Sequence, residues 1–171
     1  RIQTTQNNLT VTIRSMHGKS TVTPTPHFGS RWGIWLVLLL AVLLLGYNLQ
    51  VALSMTGGQL GVPLDDAWIH YQYARNLSQG DGFTYAPGVA TAGSTSPAWT
   101  LLLAGVGLFT ADFLVPSLAL SALFFLVTVW LTYHLALELT ERWTVALLAA
   151  AAVAVTGRLL WAGLSAMEVT L

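Results

Sequence analysis

The chain has 171 residues, of which 54% are hydrophobic and only 8% charged, where a soluble domain carries about 25% charged residues. Seven Lys and Arg balance seven Asp and Glu, and there is no cysteine. This composition excludes a disordered chain, a nucleic-acid binder, an ordinary cytosolic enzyme and any disulfide, thiolate or cysteine–metal chemistry, and leaves an integral membrane protein.

Residues 1–31 are polar, with Pro24 and Pro26 close together, and they carry Arg1, Arg14, Lys19 and Arg31 but no acid. They read as a flexible tail. The next stretch, 32–55, is the strongest signal: residues 34–45 are unbroken apolar. About 20 residues suffice to cross ~30 Å of hydrocarbon, so this is the first predicted span. The tail before it is long for a signal peptide, and no small-x-small cleavage site follows closely. Its basic residues place the tail in the cytoplasm, so the chain from residue 56 begins outside.

Residues 56–112 are the first extracytoplasmic loop. Two helices are predicted in it. The first is acidic, over 64–78, preceded by Pro63 and ended by Gly80 and Gly82. Its aromatic bulk in Trp68, Tyr71 and Tyr73 suits a membrane surface. The second covers 97–109, with Ser96 as N-cap and Pro97 at the first helical position. Thirteen residues reach roughly 20 Å, too short to cross, so this helix is predicted to lie at the outer interface with Trp99 at headgroup level. The second span is predicted over 113–137, a cytoplasmic turn over 138–142, and the third span over 143–164, whose run Ala149–Ala152 favours close helix packing. Residues 165–171 open a second outer loop. The chain is read as all-α and polytopic, with three transmembrane helices plus loop helices at the membrane surface. It begins at Arg1 and stops inside an apolar run, which reads as the amino-terminal piece of a longer protein.

If 97–109 does not cross, Glu168 emerges on the same side as Asp65 and Asp66; if it crosses, they lie on opposite faces. Two accounts of the aspartate pair stay open. Asp is a favoured N-cap, and acids in a first turn complement the helix dipole. Alternatively, adjacent acids repel, and partial burial would suit one of them to act as a base near the membrane surface. His70 follows Asp66 by four residues, so the two share a helix face and could hold a metal, although packing or a hydrogen bond also accounts for the histidine. Arg75, the only base of the loop, sits on the face of Trp68, where stacking would explain it, and is also a candidate for a phosphate. Arg75, His70 and Tyr73 are the candidate substrate-binding side chains. His134, in the second span, is expected to bond a neighbouring helix. The sequons at Asn8 and Asn76 are discounted, one lying in the tail and one within a helix. No phosphate-binding glycine loop is present, so no nucleotide site is expected.

The ordered set DDAWIHYQYARNLSQGDGFTYAPG (65–88), AGSTSPAWTLLLAGV (92–106), two spans and LSAMEVTL (164–171) resembles the start of a GT-C membrane glycosyltransferase. The likeness is to arabinofuranosyltransferase-like members, and more distantly to protein O-mannosyltransferases and the lipid A aminoarabinose transferases. It implies a polyprenyl-phosphate sugar donor, an extracytoplasmic acceptor (glycan, lipid or protein) and an active site at the outer face of the plasma or inner membrane. It implies that one of Asp65 and Asp66 is the general base or orients the acceptor. It matches the family's Ser-Gly-x-Glu-like motif to Ser165-Ala166-Met167-Glu168, making Glu168 the third catalytic carboxylate, with Ala166 where Gly is usual. The leaving phosphate needs positive charge, which Arg75 or a divalent cation would supply. A transporter or channel fragment and a non-catalytic assembly protein are the alternatives. Transporters place charges within spans, whereas here the acids cluster in an outer loop.

Overall fold

The computed structural model describes residues 28–89, 91 and 93–168; of the tail expected over 1–31, residues 1–27 lie outside them, as do the last three residues, while 28–31 are helical and form the first turn of the first helix. Six helices follow one another: α1 (Phe28–Met55), α2 (Asp66–Gln79), α3 (Pro97–Gly107), α4 (Leu114–Thr140), α5 (Trp143–Val155) and α6 (Gly157–Ala162). No strand forms among the described residues. The all-helical expectation holds.

Two stretches, Trp32–Met55 and Leu114–Thr140, are helices long and apolar enough to cross a membrane. At 1.5 Å per residue they reach about 36 and 40 Å. Both leave large apolar side chains exposed, among them Trp35, Leu36 and Leu43 on α1 and Leu123, Trp130 and Leu131 on α4. A lipid-facing helix presents this kind of surface, and water penalises it.

The expected third span is not one helix. It divides at Thr156, whose backbone is extended (ψ 110°), into α5 and the six-residue α6. The Thr156 hydroxyl turns back onto the Ala152 carbonyl at 2.7 Å, while its own carbonyl accepts the N–H groups of Leu159 and Leu160 at 3.0 Å. A β-branched residue that bonds its own helix, followed by glycine, ends one helix and starts the next. Exposed Arg158 follows the break at once, a charge inside the expected span that should have signalled it.

Helices α1, α4, α5 and α6 form one apolar bundle. Its contact faces repeat every fourth residue: Phe125, Val129 and Tyr133 on α4, Ala146, Ala150 and Ala154 on α5. Rows spaced by four are the ridges along which helices interdigitate, and an alanine row lets α4 approach closely. Near the far end of α6, a side chain at Gly163 would meet Phe125 Cβ at 3.1 Å and Leu45 Cδ2 at 3.2 Å.

A second cluster joins α2, α3 and the start of α4 to the turn after α6. Helix α2 ends where Gly80 takes the left-handed conformation (φ 88°), which returns the N–H of Gly80 to Leu77 and that of Asp81 to Asn76. Trp99 belongs inside this cluster. It is fully buried and packs edge-on against Phe124 of α4, centroids 6.2 Å apart. The expected headgroup placement of this indole is therefore corrected: α3 turns its tryptophan inward. His134 likewise differs from expectation. It is exposed and lies against Trp130 of its own helix, 4.3 Å between rings.

Candidate functional site

Asp65 and Asp66 open α2, and both are exposed. Asp65 occupies the N-cap position but has helical backbone angles, and its carboxylate makes no capping hydrogen bond. Capping thus does not account for the side chain, although Asp66 in the first turn still complements the helix dipole. The partial burial expected for one of the pair is not found.

One turn further on, α2 turns inward. His70 is 1% exposed. Its Nδ1 lies 3.2 Å from Thr100 Oγ1, on α3, and its Nε2 lies 3.4 Å from Glu168 Oε2. Thr100 is itself fixed: its hydroxyl reaches the Ser96 carbonyl at 3.1 Å and the Ser94 hydroxyl at 2.9 Å. The metal-sharing arrangement of Asp66 with His70 is not the one formed; the histidine's contacts are Thr100 and Glu168.

Glu168 is delivered by a tight turn after α6. Ser165 Oγ donates to the Ala162 carbonyl at 2.8 Å. Ser121, on α4, donates to the Met167 carbonyl at 3.1 Å, pinning the residue before the glutamate. Ala166, fully buried between them, has φ +58°. This left-handed conformation is the one glycine adopts without steric cost, and alanine holds it only where surroundings enforce it. Position 166 is the one at which the resemblance seen in the sequence expects glycine.

The remaining candidates divide. Arg75 is exposed, and its guanidinium lies 5.9 Å from the centroid of Phe113, not on Trp68. Trp68 instead meets Tyr71 edge-on at 5.3 Å. Tyr73 is buried, and its hydroxyl is engaged by the loop. It accepts the Gly93 N–H at 2.9 Å and reaches Thr91 Oγ1 at 3.0 Å, between the rings of Phe83 and Tyr85. That phenol ties Thr91 and Gly93 to α2. Asn76 is buried too, its Nδ2 donating to the carbonyls of Thr84 and Tyr85 at 2.9 Å, which leaves no amide for a glycan. Thr100, Ser94 and Ser121 escaped the sequence reading. The signals for Thr100 and Ser121 were the four-residue spacings of Ser96 with Thr100 and of Ser117 with Ser121; Ser94 had none.

Among the described residues, no group of three or more His, Asp or Glu converges as a metal site. His70 Nε2 and the Glu168 carboxylate bring two donors together, with Nδ1 of the histidine held by Thr100. An apolar groove of about 380 Å³ lies between the end of α1, the 59–63 segment, Leu118, Trp161 and Leu164. Leu164 is the residue before the turn that carries Glu168. No family model matches this chain, and no curated protein or solved structure does.

Proposed function

We propose that this chain belongs to a membrane glycosyltransferase that moves a sugar from a polyprenyl phosphate to an extracytoplasmic hydroxyl. The observation that carries the reading is the approach of Glu168 to His70, which joins the two ends of the matched pattern across nearly a hundred residues. That contact fits a path in which α3 lies on the membrane, α4 runs inward and α5 with α6 returns, so that Asp65, Asp66 and Glu168 share the outer face. The broken α5–α6 pair, 20 residues from 143 to 162, is long enough to make this return.

In the proposed reaction the acceptor oxygen bonds to the anomeric carbon. The bond from that carbon to the phosphate oxygen breaks, its electron pair leaving on the lipid phosphate. The acceptor proton passes to a carboxylate, and the exposed Asp65 and Asp66 are the candidates to take it. Exposed Arg75 is the described cation in this loop available to the leaving phosphate. The apolar groove beside Leu164 has the size and lining to take part of an isoprenoid chain.

The test is transfer from a radiolabelled polyprenyl-phosphate sugar in membranes holding the intact protein. Asp65→Asn, Asp66→Asn and Glu168→Gln are made singly. At least one aspartate variant and the glutamate variant are expected to lose about 100-fold or more while still folding. Unchanged transfer in all three removes the assignment.

A further inference from the structure

We propose that His70 is the positioning residue for Glu168: it holds one carboxylate oxygen in place and does not itself touch substrate. The inference rests on the transferase reading above and assigns a role within that site.

Burial separates the two residues. His70 is 1% exposed and Glu168 25%. The histidine therefore cannot reach a reactant, whereas the glutamate can. Glu168 Oε2 is fully buried and makes no hydrogen bond, so the exposure of this side chain belongs to its other atoms. The carboxylate thus has an inner oxygen facing the histidine and an outer part facing the open side.

The ring is clamped so that it serves the inner oxygen. Nδ1 is tied to Thr100 on α3, which leaves Nε2 pointing at Oε2. Proton accounting narrows the arrangement further. Thr100 has one hydroxyl proton and Ser94 has another. When Thr100 gives its proton to Nδ1 and accepts from Ser94, the neutral ring carries its hydrogen on Nε2, aimed at the carboxylate. When Thr100 gives its proton to the Ser96 carbonyl, Nδ1 must carry a hydrogen. The first arrangement is the one that aims a donor at Oε2. The separation of 3.4 Å exceeds the usual N–H···O range of about 2.7–3.2 Å, and catalytic contacts of this kind tighten when substrate closes the site. Without His70, Oε2 would be a buried oxygen with no donor, and the carboxylate would swing outward.

The test is a double-mutant cycle on the intact protein in membranes, read as sugar transfer. His70→Leu is expected to lower kcat about 100-fold, the scale of a displaced reacting group, with KM changed little. His70→Gln, which offers an amide N–H near the Nε2 position, is expected to recover at least about tenfold of that loss. In a Glu168→Gln background, His70→Leu is expected to cost no more than about threefold further. Equal losses in both backgrounds make His70 merely structural and overturn the proposal, as does a loss confined to KM. A second readout is the His70 Nε2 resonance in ¹⁵N-histidine-labelled protein, which is expected to move on Glu168→Gln. An unmoved resonance in a protein that transfers sugar overturns the positioning role alone. Absence of transfer by the wild-type protein overturns the reading on which it rests.

Discussion

The bundle of α1, α4, α5 and α6 buries hydrocarbon and little else, its only buried polar group among the clustered residues being the phenol of Tyr133. The layer above it is built differently. All six buried Ser, Thr, Asn and His side chains among the described residues (His70, Asn76, Thr100, Ser117, Ser121 and Ser165) lie in that layer or tie into it. Dispersion is non-directional, so the bundle fixes how closely helices approach but tolerates small slides. Hydrogen bonds are directional, so the layer fixes where particular atoms point. Helix α4 belongs to both: Phe125, Val129 and Tyr133 face the bundle, while Ser117 and Ser121 reach up to Tyr71 and to the Met167 carbonyl. One rigid helix thereby sets the height of the turn that carries Glu168.

A hole in the bundle and a fault in the layer should therefore have different consequences. The largest effect is expected from Phe125→Ala. Phe125 is fully buried and fills the space beneath Gly163. Comparable truncations in soluble cores cost about 3–5 kcal/mol, and in lipid the lost packing remains while the transfer part shrinks, so about 3 kcal/mol is expected. Unfolding of the detergent-solubilised protein by graded SDS measures it. A change under about 1 kcal/mol would show that the bundle does not rely on shape. Next comes Ala166→Val. A β-branched residue at φ +58° is strained, and the site is fully buried, so a loss of about 2–3 kcal/mol is expected. If the proposed transferase reading holds, residue 166 aims Glu168, so sugar transfer should fall further than stability does, whereas Phe125→Ala should lower both in step.

The bundle was the legible half in the sequence. Runs of apolar residues longer than a bilayer needs announce α1 and α4 without any knowledge of partners. The acidic helix was legible from Pro63 and Gly80, and α3 from Ser96 and Pro97. What stayed hidden depends on contacts between distant segments. A tryptophan near a helix start reads equally as an interfacial anchor or a core residue, and only the packing of α3 on α4 decides for the core at Trp99. Arg75 is seven residues from Trp68, but Phe113, from another segment, takes the stacking position. The break at Thr156 was visible as Thr-Gly-Arg within an otherwise apolar run and was outweighed by its length. Of the candidate site, the acids could be named from their order along the chain, while the histidine's partners, thirty and ninety-eight residues away, could not.

A smaller effect tests the layer where it is furthest from the bundle. Asn76→Ala removes both donors to the Thr84 and Tyr85 carbonyls and leaves Gln72 without its acceptor. A loss of about 2 kcal/mol is expected, confined to the segment that follows α2. Limited proteolysis should therefore cut between residues 82 and 91 sooner than elsewhere, with bundle unfolding unchanged. Simultaneous loss of both regions would mean that they do not unfold as separate units.

The smallest effect is a pH dependence seated where layer and bundle meet. Burial pushes the Tyr71 phenol above its ordinary value of 10.0; the Ser117 hydroxyl pulls it part of the way back, and the Asp112 carboxylate adds to the rise. The folded protein then keeps this proton at pH values where the unfolded chain has released it. The stability it contributes is complete below pH 10 and is lost as pH rises from there through the higher folded value. Tyr71→Phe should remove that alkaline loss. At neutral pH it should cost under about 1 kcal/mol, because Ser117 keeps its bond to the Leu114 carbonyl at 2.9 Å and the ring keeps its stack on Phe113. Thermal unfolding curves of both proteins between pH 7 and 11 should differ by little at pH 7 and converge or cross as pH climbs. Parallel curves would mean that the phenol titrates alike in folded and unfolded chains, and the junction of the two regions would then be wetter than its burial implies.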